Sequence, residues 1–86
     1  MPEISRFFGI IITMNFKDHN PPHLHAEYGE YEAVFDFQTN TIIEGNLPKT
    51  AIKLVKNWIN LHKVELLENW NLMRESIHPI KITPLE

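Results

Sequence analysis

The sequence contains no cysteine, which excludes disulfides, thiolate nucleophiles and cysteine-ligated zinc or iron–sulfur centres. A small fold without disulfides suits a reducing compartment. Long apolar runs are also missing. The densest stretch, Phe7 to Ile12, is far shorter than the ~20 residues that cross a bilayer, and no basic segment leads into an apolar core as in a secretory signal. Glycine is scarce at three residues, and no Gly-rich phosphate loop, serine nucleophile motif or dinucleotide fingerprint occurs. Nor is there an excess of positive charge: eight Lys and Arg face eleven Asp and Glu, giving a net charge of −3 and a pI near 5.9, unlike a basic nucleic-acid-binding domain. These absences lead to the expectation of a complete cytoplasmic protein with no membrane segment.

What is present is 86 residues, 43 % of them hydrophobic, expected to fold as a single domain over 1–86. Such a chain has a total stability on the order of 4–13 kcal/mol, which favours a shallow surface site over a deep cavity. The charge is unevenly spread. Residues 1–46 hold two basic side chains against seven acidic ones, whereas residues 47–86 hold six against four.

The first half has a period of two. Phe7 to Phe16 reads as a central strand, with Phe8, Ile10, Ile12, Met14 and Phe16 on one face. Lys17 to Pro22 cannot continue a ladder, because neither Pro21 nor Pro22 has an N–H, so this segment is a stiff connector. His23–Tyr28 and Tyr31–Phe37 flank Gly29-Glu30, a two-residue loop of the kind a type II′ hairpin prefers. Pairing outward sets Tyr28 opposite Tyr31, Glu27 opposite Glu32, Ala26 opposite Ala33, His25 opposite Val34, Leu24 opposite Phe35 and His23 opposite Asp36. One face is then apolar or aromatic and the other almost wholly ionisable, and a slip of one residue would mix them. Thr41–Glu44 reads as a further short strand.

Asn46 is the expected N-cap of a helical region, with Pro48 in its first turn. From there the period becomes 3.6. Ala51, Leu54, Val55, Trp58, Ile59 and Leu61 form an apolar stripe that Leu66, Leu67, Trp70 and Met73 continue. No Gly or Pro interrupts this stretch, so one bent helix or two helices are possible; two, meeting near His62-Lys63, are preferred. The tail around Ile80-Lys81-Ile82 has room for an edge strand at most. The fold class is α+β: a small antiparallel sheet of three to four strands with a central β-hairpin, packed against two C-terminal helices.

Chemistry concentrates in His19, His23 and His25. On a strand, His23 and His25 share a face with Cα atoms about 6.5–7 Å apart, and the register adds Asp36 beside His23 and Glu27 and Glu32 near His25. His19, His23, His25 and Glu27 therefore form a candidate set for a divalent transition metal such as zinc. The same pair suits metal-free acid–base work on an RNA phosphodiester, with Asp36 or Glu32 orienting the imidazoles, and this cofactor-free reading is the favoured one. A plain polar hairpin face would have the same composition. Lys49, Lys53, Lys56 and Lys63 would line one basic edge if the helix persists, touching phosphates or an acidic partner, although a solvated helix face also explains them. Trp58 and Trp70 lie on the apolar stripe and read as core anchors. His62 reads as a junction residue and His78 as a turn residue.

Several runs carry a resemblance: Met1-Pro2-Glu3-Ile4-Ser5-Arg6-Phe7-Phe8-Gly9-Ile10, Asp18-His19-Asn20-Pro21-Pro22-His23-Leu24-His25-Ala26-Glu27-Tyr28-Gly29-Glu30-Tyr31-Glu32-Ala33, Glu44-Gly45-Asn46-Leu47-Pro48-Lys49 and Glu68-Asn69-Trp70-Asn71. In these the chain resembles the bacterial domain of unknown function 4160 family. The resemblance implies His19, His23 and His25 as motif histidines, with Glu27, Tyr28, Gly29 and Glu32 in the hairpin. It also implies a toxin–antitoxin-like module whose partner is a small antitoxin-like protein related to domain of unknown function 2442.

The expected function is accordingly RNA binding or cleavage by the histidine hairpin. The alternatives are a non-enzymatic module, dimeric through the Phe7–Ile12 strand and bound to a partner protein, and a metal-dependent hydrolase.

Overall fold

The computed structural model describes residues 2–86 and leaves Met1 outside. Five strands and two helices follow in order: β1 Glu3–Phe7, β2 Ile10–Thr13, β3 His23–Tyr28, β4 Tyr31–Asp36, β5 Thr41–Asn46, α1 Lys49–Leu61 and α2 Lys63–Arg74. The strands form one antiparallel meander in the order β1-β2-β3-β4-β5. The α+β class holds. The sheet has one strand more than expected, because Phe7–Phe16 is not a single strand. Phe8 and Gly9 both take positive φ, 49° and 79°, and turn the chain back so that Phe7 pairs with Ile10. Two successive left-handed residues are what a type I′ hairpin requires. Ile10, Ile12 and Met14 are buried as their alternation demands, but Phe8 lies exposed in the turn and Phe16, past the end of β2, rests edge-on against His78.

The β3–β4 register is the one read from the sequence, in all six pairs from His23–Asp36 to Tyr28–Tyr31. Gly29 has φ +58° and Glu30 does not have positive φ, as in a type II′ turn. Leu24, Ala26, Ala33 and Phe35 consequently enter the core with Ile10 and Ile12, while His23, His25, Glu27, Glu32 and Asp36 share the opposite face. β5 runs to Asn46 with a bulge at Ile43, since Val34 pairs with Glu44 and Phe35 with Ile42.

The helices cover the apolar face. Ala51, Val55, Trp58 and Ile59 of α1 and Leu66, Trp70 and Met73 of α2 are buried, and Trp58 packs on Phe7 with ring centroids 5.4 Å apart. Both tryptophans are core residues. α1 begins later than expected: Pro48 is its N-cap, and the Asn46 side chain, still in β5, accepts the Leu47 N–H. Two helices are present, separated at His62. Its N–H bonds Ile59 O and its carbonyl accepts the Leu66 N–H, while Glu65 in the first turn of α2 reaches its ring at 2.7 Å. An acidic residue there also suits the helix dipole. Leu61 and Leu67 leave the expected stripe and are exposed.

α2 ends in a Schellman motif, with Ser76 at φ +60°, its N–H on Met73 O, and the Ile77 N–H on Leu72 O. The tail then runs extended and forms no strand. Asn69, buried, bonds both the N–H and the carbonyl of Ile80, the Ile82 N–H bonds Ile4 O, and Trp58 Nε1 donates to Thr83 O. No helix among the described residues is long and apolar enough to cross a membrane.

Two glycines make contrasting demands. A Cβ at Gly29 would meet open space, whereas one at Gly45, φ +76°, would collide with the Glu32 carbonyl oxygen. Gly29→Ala should cost about 1–2 kcal/mol of left-handed strain, and Gly45→Ala roughly 3 kcal/mol or more. Urea denaturation of both variants checks this. Equal costs would mean that the backbone, and not the contact with β4, dictates glycine at position 45.

Candidate functional site

The Pro21-Pro22 connector folds Asp18 back over the start of β3. His23 Nε2 lies 2.8 Å from Asp18 Oδ2, and His23 Nδ1 lies 2.8 Å from the Pro21 carbonyl oxygen. A neutral imidazole has one N–H, so the ring satisfies both acceptors as an imidazolium or with a cation in place of the Nε2 proton. Its flank is fixed by Trp70, at 5.3 Å between ring centroids, and His25 stands edge-on to it at 5.6 Å. Asn15 completes the group. Its Nδ2 lies 3.4 Å from Asp18 Oδ2 and 3.3 Å from His25 Nε2.

Asp18, His23 and His25 each offer one ligand atom, all within 4.8 Å of one another, and form the one group of this kind among the described residues. The chemistry of the set, two imidazoles and a carboxylate, fits a divalent transition metal. Three residues of the group or in contact with it have unpartnered polar atoms. The Thr13 hydroxyl, directly across from His25, His25 Nδ1, and the indole N–H of Trp70 are buried without a hydrogen-bond partner.

The expected site residues are thus partly reassigned. His23 and His25 come together as read. His19 is exposed and contributes its backbone N–H, which donates to Asp18 Oδ1 at 3.0 Å. Glu27 lies further along the sheet, opposite Ile11 and Glu32, outside the group. Asp36 pairs with His23 in register, but its Oδ1 accepts the Gln38 and Thr39 N–H groups at 2.9 and 3.2 Å, so its carboxylate is committed to the turn. Glu32 Oε1 stands 3.5 Å from His25 Nδ1.

Asp18 and Asn15 are the residues that sequence reasoning missed. An aspartate immediately before His-Asn-Pro-Pro-His was the available signal, because adjacent prolines hold a connector in a fixed shape.

The lysines are divided between the two helices. The break at His62 separates Lys63, which donates to Gln38 O at 3.3 Å, from Lys49, Lys53 and Lys56 on α1. Lys49 and Lys53 rim a shallow apolar depression with Thr50 and Ile52. A second such groove lies between Phe37, Gln38, Lys63, Val64 and Leu67.

The sequence matches the family described as "domain of unknown function (DUF4160)" over residues 9–71, a span from the β1–β2 turn into α2 that includes every residue of the cluster. No curated protein and no solved structure matches the chain.

Partial burial pushes the Asp18 carboxyl up. The His19 N–H, the charge of His23, and hydrogen bonds from His23 and Asn15 outweigh burial and hold it below the ordinary 3.8. A lowered folded-state value means that Asp18 stabilises the fold above the ordinary aspartate range and that this contribution is lost as pH falls through the lowered value. On acidification from about pH 5, the urea midpoint of the wild type should therefore fall more steeply than that of Asp18→Asn. Parallel curves would show that the Asp18–His23 pair contributes nothing to folding.

Proposed function

Because the chain belongs to the DUF4160 family, whose name carries no activity, we propose a function from the site itself: a divalent transition-metal centre with a hydrolytic role, held by Asp18, His23 and His25. The observation that carries this is the convergence of the three ligand atoms within 4.8 Å. Donors around tetrahedral zinc lie about 3.3 Å apart, so small side-chain shifts close the set. Three protein ligands leave a position open, as catalytic sites do, and a metal there supplies Lewis acidity and a water ionised near neutral pH.

The protein's own residues do the rest. The Pro21 carbonyl fixes the His23 proton on Nδ1 and aims Nε2 inward, the usual arrangement for a ligating histidine. Asn15 Nδ2 bridges Asp18 Oδ2 and His25 Nε2, and a metal on Nε2 would take the place of that His25 contact, because the nitrogen has one lone pair. Trp70 walls His23 from the core side.

Metal-free cleavage of RNA by His23 and His25 is the weaker reading. Glu27, Glu32 and Glu44 stand on the same sheet face, and carboxylates repel a polyanion unless a cation intervenes. A protein partner is compatible with the metal site and has its own support in the exposed Val64 and Leu67 that line the Phe37 groove. A cytoplasmic location belongs to the same proposal, and a sequence without cysteine is in keeping with it.

The test is calorimetry and thermal unfolding of untagged protein with zinc and cobalt(II). One metal per chain is expected, with Tm raised on the order of 10–20 °C at a hundredfold excess over Kd. Affinity should weaken as pH falls, because a proton competes for His23 Nε2. Binding that survives in a His23→Ala/His25→Ala double variant would refute the site. RNA cleavage by wild type in excess chelator would favour the metal-free reading.

A further inference from the structure

The geometry points to Glu32 as the positioning residue that holds His25 in its ligating orientation, an inference that rests on the metal reading above. His25 Nε2 is the nitrogen on the Asp18 side, since it and Asp18 Oδ2 contact the same Asn15 amide nitrogen. If Nε2 faces the metal, a neutral imidazole must carry its proton on Nδ1. That nitrogen is buried and has no hydrogen-bond partner, and the acceptor facing it is Glu32 Oε1 at 3.5 Å. The remaining gap is small. Closing to an ordinary length of about 2.8 Å would give the carboxylate–histidine–metal arrangement that fixes ring orientation and raises ligand basicity.

Two features of the sheet make this reach possible. On β4 the residue directly across from His25 is Val34, which offers no acceptor, so Glu32 comes in diagonally from two pairs along, the next pair on the same face. His25, Glu32, Val34, Glu44 and Gly45 surround a shallow depression of about 320 Å³, which gives the Glu32 carboxylate room to move. Position 32 also carries an unfavourable contact. Glu32 sits directly opposite Glu27, a like-charge pair that destabilises a sheet, and neither has a Lys or Arg partner among the described residues. The His25 N–H would give the Glu32 carboxylate a favourable partner that offsets its repulsion by Glu27. Glu44, across from Val34 in the same depression, is the internal control, because no contact joins it to His25.

The experiment measures zinc affinity by competition calorimetry for wild type, Glu32→Ala, Glu32→Gln, Glu44→Gln and His25→Ala. It also follows the His25 Nδ1 proton by nitrogen-15 NMR and the cobalt(II) absorption spectrum. Glu32→Ala should weaken zinc binding about 10- to 100-fold. Glu32→Gln, which keeps an acceptor, should recover part of that loss, and Glu44→Gln should stay within twofold of wild type. In wild type the zinc-loaded Nδ1–H resonance should persist, and in Glu32→Ala it should be lost to exchange with an altered cobalt spectrum. The Tm of each metal-free variant reports folding separately.

Wild-type affinity in Glu32→Ala, or an equal loss in Glu44→Gln, overturns the role of Glu32. If that happens while His25→Ala still abolishes binding, the metal centre stands and only this inference falls. If wild type takes up no zinc or cobalt, both fall together.

Discussion

Gly29 and Glu30 set the pairing of β3 with β4, and that pairing decides which face of the sheet the neighbouring strands present to the helices. With side chains alternating at a period of two, a slip of one residue would send His23, His25 and Glu27 beneath α1 and α2 and turn Leu24, Ala26 and Phe35 to water. The cost of burying two imidazoles and a carboxylate makes that alternative inaccessible. β2 joins in a register that puts Ile10 and Ile12 on the core side and Thr13 beside His25, so the apolar and ionisable surfaces are separated across three strands by one turn.

The two surfaces meet at one corner. Past the end of β2 the chain cannot keep pairing, because Pro21 and Pro22 lack the N–H groups a ladder needs. It loops outward instead, with the Lys17 N–H held by Met73 O at the end of α2. This brings Asp18, from a loop, against His23 on a strand and Trp70 on a helix. The cluster therefore depends on sheet register, on loop stiffness and on the position of α2, and none of these elements holds it alone.

The β3–β4 register was legible because turn chemistry and alternation gave the same answer. The β1–β2 hairpin was hidden because Phe8, a bulky aromatic, occupies a left-handed turn position usually given to Asn, Asp or Gly. The break between α1 and α2 carries neither Gly nor Pro, and its marks are His62 and the Glu65 that reaches it. Within the site, strand periodicity placed His23 and His25 correctly but could not say where a loop carboxylate returns, so Asp18 went unseen. Asp36 was placed in the right register and given the wrong partner. An aspartate at the mouth of a turn competes for the turn's own N–H groups, and here Gln38 and Thr39 hold it.

The packing of His23 on Trp70 has an electronic side as well. An indole has a quadrupole with a negative face and a positive edge, and the His23 ring stands tilted against it, with 55° between the planes and 5.3 Å between the centroids, so a ring of the cluster and an aromatic of the hydrophobic core share one contact. Trp70 is also a fluorophore, and its emission responds to the charge of a neighbouring imidazole. Trp58 has a histidine of its own, His62, at 5.4 Å, remote in sequence from the cluster. The two indoles thus form a built-in pair of optical gauges, one set beside the Asp18–His23–His25 corner and the other beside the helix junction.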